Sequence, residues 1–144
     1  MPAITNSTTT KIRHLNMKAR NQLPARDHAA LNQPVTDAVT AFREGTATAY
    51  HQSVAACALS VCYRIIEAIP RHRHLIPELQ PALDALNALY ARFHESPDDH
   101  AWLATDEEIA AISFGAEIYR AVLLASSGAH VRRAVAMVLQ DYKR

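Results

Sequence analysis

The residues best equipped for chemistry are eight histidines, two cysteines and a serine pair spread over 144 positions. His72 and His74, in the run Arg71, His72, Arg73, His74, could turn toward one ion in an extended segment. A zinc site needs further Cys, His or carboxylate donors at ligand spacing. The interleaved arginines repel a cation instead, so the run reads as an exposed interhelical loop. His94 and His100 flank Asp98 and Asp99 and could form an acid–base pair, but they fall in what reads as a solvated turn. Ser126 and Ser127 precede Gly128 without the strand and the G-x-S-x-G of a nucleophile elbow, and helix capping accounts for them. The three glycines, at 45, 115 and 128, are too scattered to cradle a phosphate. Cys57 and Cys62 are five apart, too far around a helix for a disulfide, and read as buried thiols. The expectation is a protein with no catalytic residues, no metal, no cofactor and no enzymatic activity.

The elements that would carry these residues are helical. Few glycines, 6% aromatics and a 49% hydrophobic content rich in Ala and Leu favour helices over a sandwich or barrel. Pro24 predicts a short helix through Leu31, and Pro34 starts another with Val35, Val39 and Phe42, stopped by Gly45. Thr46 or Thr48 caps a third helix that ends before Pro70. Its two stripes, Tyr50, Val54, Cys57 and Val61 beside Leu59, Cys62, Ile66 and Ile69, mark it as central. Pro77 and Pro81 open a helix whose Leu79, Leu83, Leu86, Tyr90 and Phe93 form a seam. Thr105 with Glu108 is a capping box, starting a helix through Ile109, Ile112, Ala116, Tyr119 and Leu123. Val131, Val135, Val138 and Tyr142 line the last one. The fold class is all-α, a compact antiparallel bundle of five to six helices over residues 21–144, behind a mobile basic arm, residues 1–20.

No apolar run nears the ~18 residues of a membrane span. Met1 to Thr10 also lacks the apolar centre of a signal peptide. A cytoplasmic protein without membrane contact is expected. Its net charge of +1 hides segregation. Residues 1–26 hold Lys11, Arg13, Lys18, Arg20 and Arg26 and no acid, whereas residues 78–117 set nine acids against Arg92 alone. Residues 118–144 are basic again, with Asp141 as their one acid. Glu95, Asp98, Asp99, Asp106, Glu107 and Glu108 crowd one interhelical loop and the helix start after it, and form the expected partner-binding surface. Carboxylates in a first turn also oppose the helix dipole, at roughly 0.3 to 1 kcal/mol each, which accounts for the last three but not for Glu95, Asp98 and Asp99. Complementary charges and the helical seams predict a homodimer.

The alternative surface is basic. The four cations of the mobile arm, with Arg26 just after it, can neutralise phosphates without fixed geometry. Residues 118–137 can also be laid on a helix-turn-helix, with Gly128 in the turn and His130, Arg132 and Arg133 opening the second helix. Nucleic-acid binding through Lys11, Arg13, Lys18, Arg20, Arg26, Arg132 and Arg133 would make the chain a DNA-binding transcriptional regulator.

Ala30 and Leu31, the stretch Ala41, Phe42, Arg43, Glu44, Gly45, Thr46, Ala47, Thr48, then Leu83, Asp84, Ala85, Leu86, and then Thr105, Asp106, Glu107, Glu108, Ile109, Ala110, Ala111, Ile112 together form one pattern. It resembles small helical accessory proteins carried by proteobacterial phages, prophages and plasmids, and rests on helix caps and core positions. The resemblance implies a mobile-element protein that docks on and inhibits or modulates a host protein or nucleoprotein, as an anti-CRISPR-like inhibitor does, or one that regulates transcription.

Overall fold

The computed structural model describes residues 23–95 and 102–143, so the arm expected over 1–20 and the acids Asp98 and Asp99 lie outside the described residues. Five α-helices and one 3-10 helix make up the described chain, with no strand among the described residues, as the all-α reading requires. The helices are α1 (Ala25–Glu44), α2 (Ala49–Ala68), α3 (Ile76–Glu95), α4 (Asp106–Ala125) and α5 (Gly128–Tyr142), and the 3-10 turn Pro70–Leu75 joins α2 to α3.

The two short helices expected on either side of Pro34 are one. Proline removes a hydrogen bond and crowds the carbonyl four residues back, a penalty of about 3 kcal/mol in a helix interior. Opposing it, Val35, Ala38, Val39, Ala41 and Phe42 are all buried along one face, and Leu31 packs against the same core. A break at Pro34 would separate Leu31 from that stripe. Gly45 ends α1 as expected, in the left-handed conformation at φ 72°. The Gly45 amide donates to the Phe42 carbonyl (3.3 Å) and Thr46 N to the Ala41 carbonyl (2.9 Å), the paired bonds of a Schellman cap. A Cβ at Gly45 would make only ordinary contact with Leu103 Cδ2, at 3.6 Å. Gly45→Ala therefore pays for backbone conformation alone, and thermal unfolding of the variant should report a loss of roughly 1 kcal/mol.

Thr48, not Thr46, caps α2, and its amide donates to His51 Nδ1 at 3.0 Å. This helix touches α1, α3, α4, α5 and the 3-10 turn, which makes it the central element. Its first stripe begins outside the core, because Tyr50 is exposed. Around α2, helices α1, α3 and α4 complete a four-helix arrangement in which α4 packs on the other three. The last helix, α5, lies against α2.

The seam on α3 is rotated from its expected position. Leu79, Ala82, Ala85, Leu86 and Leu89 are buried, Leu83 and Phe93 are half-buried, and Tyr90 is 51% exposed. The small side chains face α4, where a Cβ added to Gly115 would lie 2.5 Å from Ala82 Cβ. Close approach of the backbones selects the alanine face over the bulkier one. Phe93 instead stacks on Trp102, ring centroids 4.7 Å apart. On α5, Val131, Ala134 and Val138 point inward, whereas Tyr142, one turn past Val138, runs beyond the core and is 63% exposed. No helix among the described residues is long and apolar enough to cross a membrane.

Candidate functional site

Cross-helix bonds fix how the bundle runs. Tyr119 donates to the Leu31 carbonyl (3.2 Å) and Arg43 to Ser113 Oγ (3.2 Å), so α1 and α4 are antiparallel. Arg92 against Glu108, with Ala82 opposite Gly115, makes α3 and α4 antiparallel as well. Gln52, early in α2, donates to the Leu86 carbonyl of α3 at 3.2 Å. The starts of α1, α3 and α5, the end of α2, the 3-10 turn and the end of α4 therefore share one end of the bundle. The end of α1 and α3 and the starts of α2 and α4 share the other.

This topology sorts charge by end. Glu44, Glu95, Asp106 and Glu107 are exposed at the second end. Glu108, expected on the same surface, is engaged elsewhere: its carboxylate takes two bonds from the Arg92 guanidinium (2.8 and 2.9 Å) and one from the Thr105 amide (2.9 Å). Thr105 Oγ1 accepts in turn from Glu108 N at 3.1 Å, completing the capping box. Burial pushes the Glu108 carboxyl up, but the Arg92 and Thr105 hydrogen bonds and the Arg92 charge outweigh it, leaving the group below its ordinary value. Glu108 thus ties the end of α3 to the start of α4, and the other exposed acids of this end among the described residues are Glu44, Glu95, Asp106 and Glu107. Asp98 and Asp99 lie outside the described residues.

Of the cations proposed for nucleic acid, Arg26 is exposed in the first turn of α1, and Arg132 and Arg133 are exposed on α5. Lys11, Arg13, Lys18 and Arg20 lie outside the described residues. The proposed helix-turn-helix has the right two helices but different packing. Only Ser126 and Ser127 separate α4 from α5, and α5 packs on α2 while α4 packs on α1, α2 and α3. The motif's own two helices brace each other.

The residues read for chemistry have other occupations. Ser126 donates to the Val122 carbonyl (2.6 Å), and Ser127 caps α5 by accepting from His130 N (3.3 Å). His94 is exposed and meets the Tyr90 ring edge-on at 4.3 Å; His100 lies outside the described residues. Burial pushes the Cys57 and Cys62 thiols up, away from thiolate reactivity. His74 is exposed, with Nδ1 3.0 Å from the Arg71 carbonyl.

His72 departs from the exposed loop expected for its run. The 3-10 turn folds the ring inward, where it is only 3% exposed and its Nδ1 has no hydrogen-bond partner. Burial above all, then the charges of Arg71, His74 and His130, lower its pKa to about 4. No group of three or more His, Cys, Asp or Glu among the described residues is placed to hold a metal ion.

Sequence reasoning missed one more feature, an open groove of about 510 Å³ where α3 and α5 flank α2, with Tyr63, Leu83, Val138 and Tyr142 among its lining. Arg64 on its floor is paired to Asp141 (3.0 Å) and Glu67 (3.5 Å). The groove exists because the end of α5 comes to rest against Arg64 near the end of α2, a tertiary event with no local signal. No family model matches the chain, and neither a curated protein nor a solved structure matches it.

Proposed function

We propose that this chain is a non-enzymatic binding protein that docks on a host protein or nucleoprotein through its acidic end and inhibits or modulates it. The observation that supports this reading is the concentration of exposed carboxylates, Glu44, Glu95, Asp106 and Glu107, at one end of a rigid bundle. An excess of negative charge, with Arg43 held by Ser113 and Arg92 paired to Glu108, steers a basic partner and speeds association more than it deepens affinity. A mobile-element setting, with an anti-CRISPR-like inhibitor as its example, and a cytoplasmic location belong to the same proposal. So does the homodimer expected from the complementary charges and helical seams of the chain.

Charge reversal at Glu95 and Glu107 tests the reading. A lysine at the end of α3 favours that helix dipole and one in the first turn of α4 opposes it, so the two effects on stability offset to within about 0.5 kcal/mol. With the partner recovered by affinity capture, Glu95→Lys with Glu107→Lys should slow association about tenfold at low salt, with a smaller change at high salt. An association rate equal to that of the unmodified chain would make the acidic end an ordinary solvated face.

A further inference from the structure

We infer that the opposite end of the bundle is a second interaction surface, which holds the phosphate backbone of double-stranded nucleic acid. The fold assembles it from segments far apart in sequence. Arg26 stands at the start of α1, Arg71, Arg73 and His74 on the 3-10 turn, and His130, Arg132 and Arg133 on the first turns of α5, all exposed. The 3-10 turn and α5 adjoin, since His130 is close enough to His72 to help lower its pKa. Arg132 reaches back toward this end: a Cβ on Gly128 would lie 3.0 Å from its Nη1. Arg73 is held in place by two bonds from its guanidinium to the Glu67 carbonyl, both 3.3 Å, and its remaining N–H groups stay available.

The acids near this end are Asp27, Glu67, Glu78 and Asp141, and Glu67 and Asp141 are both paired with Arg64. Arg26, the run at 71–74 and the basic start of α5, far apart in sequence, thus converge at this end.

The chemistry of the surface selects its occupant. Its fixed cations are arginines, whose planar fork binds phosphate oxygens bidentately. The large apolar side chains exposed among the described residues are Tyr50, Tyr90, Leu103, Met137, Leu139 and Tyr142, and none stands on the 3-10 turn, the first turn of α1 or the first turn of α5. Apart from the His74 and His130 rings, that leaves no large aromatic side chain there as a platform for unpaired bases and no apolar side chain to insert into a bilayer. Clustered guanidinium groups with neither device fit a duplex backbone, met through its charge and indifferent to its sequence. This inference is independent of the acidic-end reading.

Fluorescence anisotropy of the full chain with a labelled 20-base-pair duplex tests it. With about five phosphates neutralised, affinity should fall a few hundredfold between 50 and 200 mM salt, equally for two unrelated sequences. The pairs Arg71→Ala with Arg73→Ala, and Arg132→Ala with Arg133→Ala, should each weaken binding tenfold or more and flatten the salt dependence, with the helical circular dichroism unchanged. The second pair makes no bond within the fold that Arg73 makes, so it stands alone if the first unfolds. Glu95→Lys with Glu107→Lys should leave duplex binding intact or tighter. Absence of binding at 50 mM salt would overturn the inference, as would wild-type affinity in the Arg132, Arg133 variant. Strong preference for one duplex sequence would overturn it in favour of a sequence-reading regulator, and binding to phosphatidylserine vesicles but not to the duplex would overturn it in favour of a lipid surface.

Discussion

Alanine at position 115 will destabilise the bundle by about 2 kcal/mol, and Ala82→Gly in the same chain will return most of that stability. The direction is informative because intrinsic helix propensity points the other way, favouring Ala over Gly by up to about 1 kcal/mol. A Cβ on Gly115 would sit 2.5 Å from Ala82 Cβ and 3.2 Å from Leu59 Cδ1. Ala82 is attached directly to the backbone of α3 and cannot swing aside, so α3 and α4 must separate. The swapped pair keeps one glycine and one alanine across the two helices, cancelling the propensity difference and leaving only the fit. Gly115→Val places two more carbons in the same gap and should cost 3 kcal/mol or more. Urea unfolding followed by circular dichroism reads all three variants. A midpoint that rises in Gly115→Ala, or a swap no better than the single change, would show that α3 and α4 are not packed this closely.

Acid will unfold the protein more readily than its carboxylates alone require, through His72. In the unfolded chain this imidazole takes up its proton around pH 6.5, whereas in the fold burial and the neighbouring Arg71, His74 and His130 hold it neutral down to about pH 4. Between those values the unfolded state binds more protons, so the contribution is fully present above pH 6.5 and is lost as the pH falls toward 4. Its size is on the order of 3 kcal/mol, from 1.36 kcal/mol for each pKa unit. His72→Phe keeps an aromatic ring in the same space and removes both the titration and the unpartnered Nδ1. Unfolding free energies measured at pH 7, 5.5 and 4.5 should therefore fall less steeply in His72→Phe than in the parent chain. Parallel pH dependences would mean that the ring titrates in the fold as it does in water.

Local signals carried a large part of this architecture. Thr105 with Glu108, Gly45, Ser127 and the stop before Pro70 act over three or four residues, through backbone groups that need a partner wherever the helix packs, and they stand where the sequence places them. The expectation that failed at Pro34 was also a local rule, overridden because keeping Leu31 in line with the buried stripe from Val35 to Phe42 outweighs one lost hydrogen bond. The α3 seam failed for another reason. Leu79, Leu83, Leu86 and Tyr90 repeat with helical spacing, and so do Leu79, Ala82, Leu86 and Leu89. Periodicity cannot choose between two adjacent stripes when the choice depends on a glycine in another helix.

Sequence alone determined that the chain is helical, where most of its helices start and stop, and that its charges are segregated, because propensity, capping and composition are properties of neighbours in the chain. Tertiary structure alone decided what the segregation amounts to. Antiparallel packing brings Arg26, Arg71, Arg73, Arg132 and Arg133 to one end and Glu95, Asp106 and Glu107 to the other, buries His72 beneath the first, and ties Glu108 to Arg92 at the second. Electrostatic surfaces depend on distance through space, and the distance between residues 26, 71 and 132 is set by how the helices pack and not by their order.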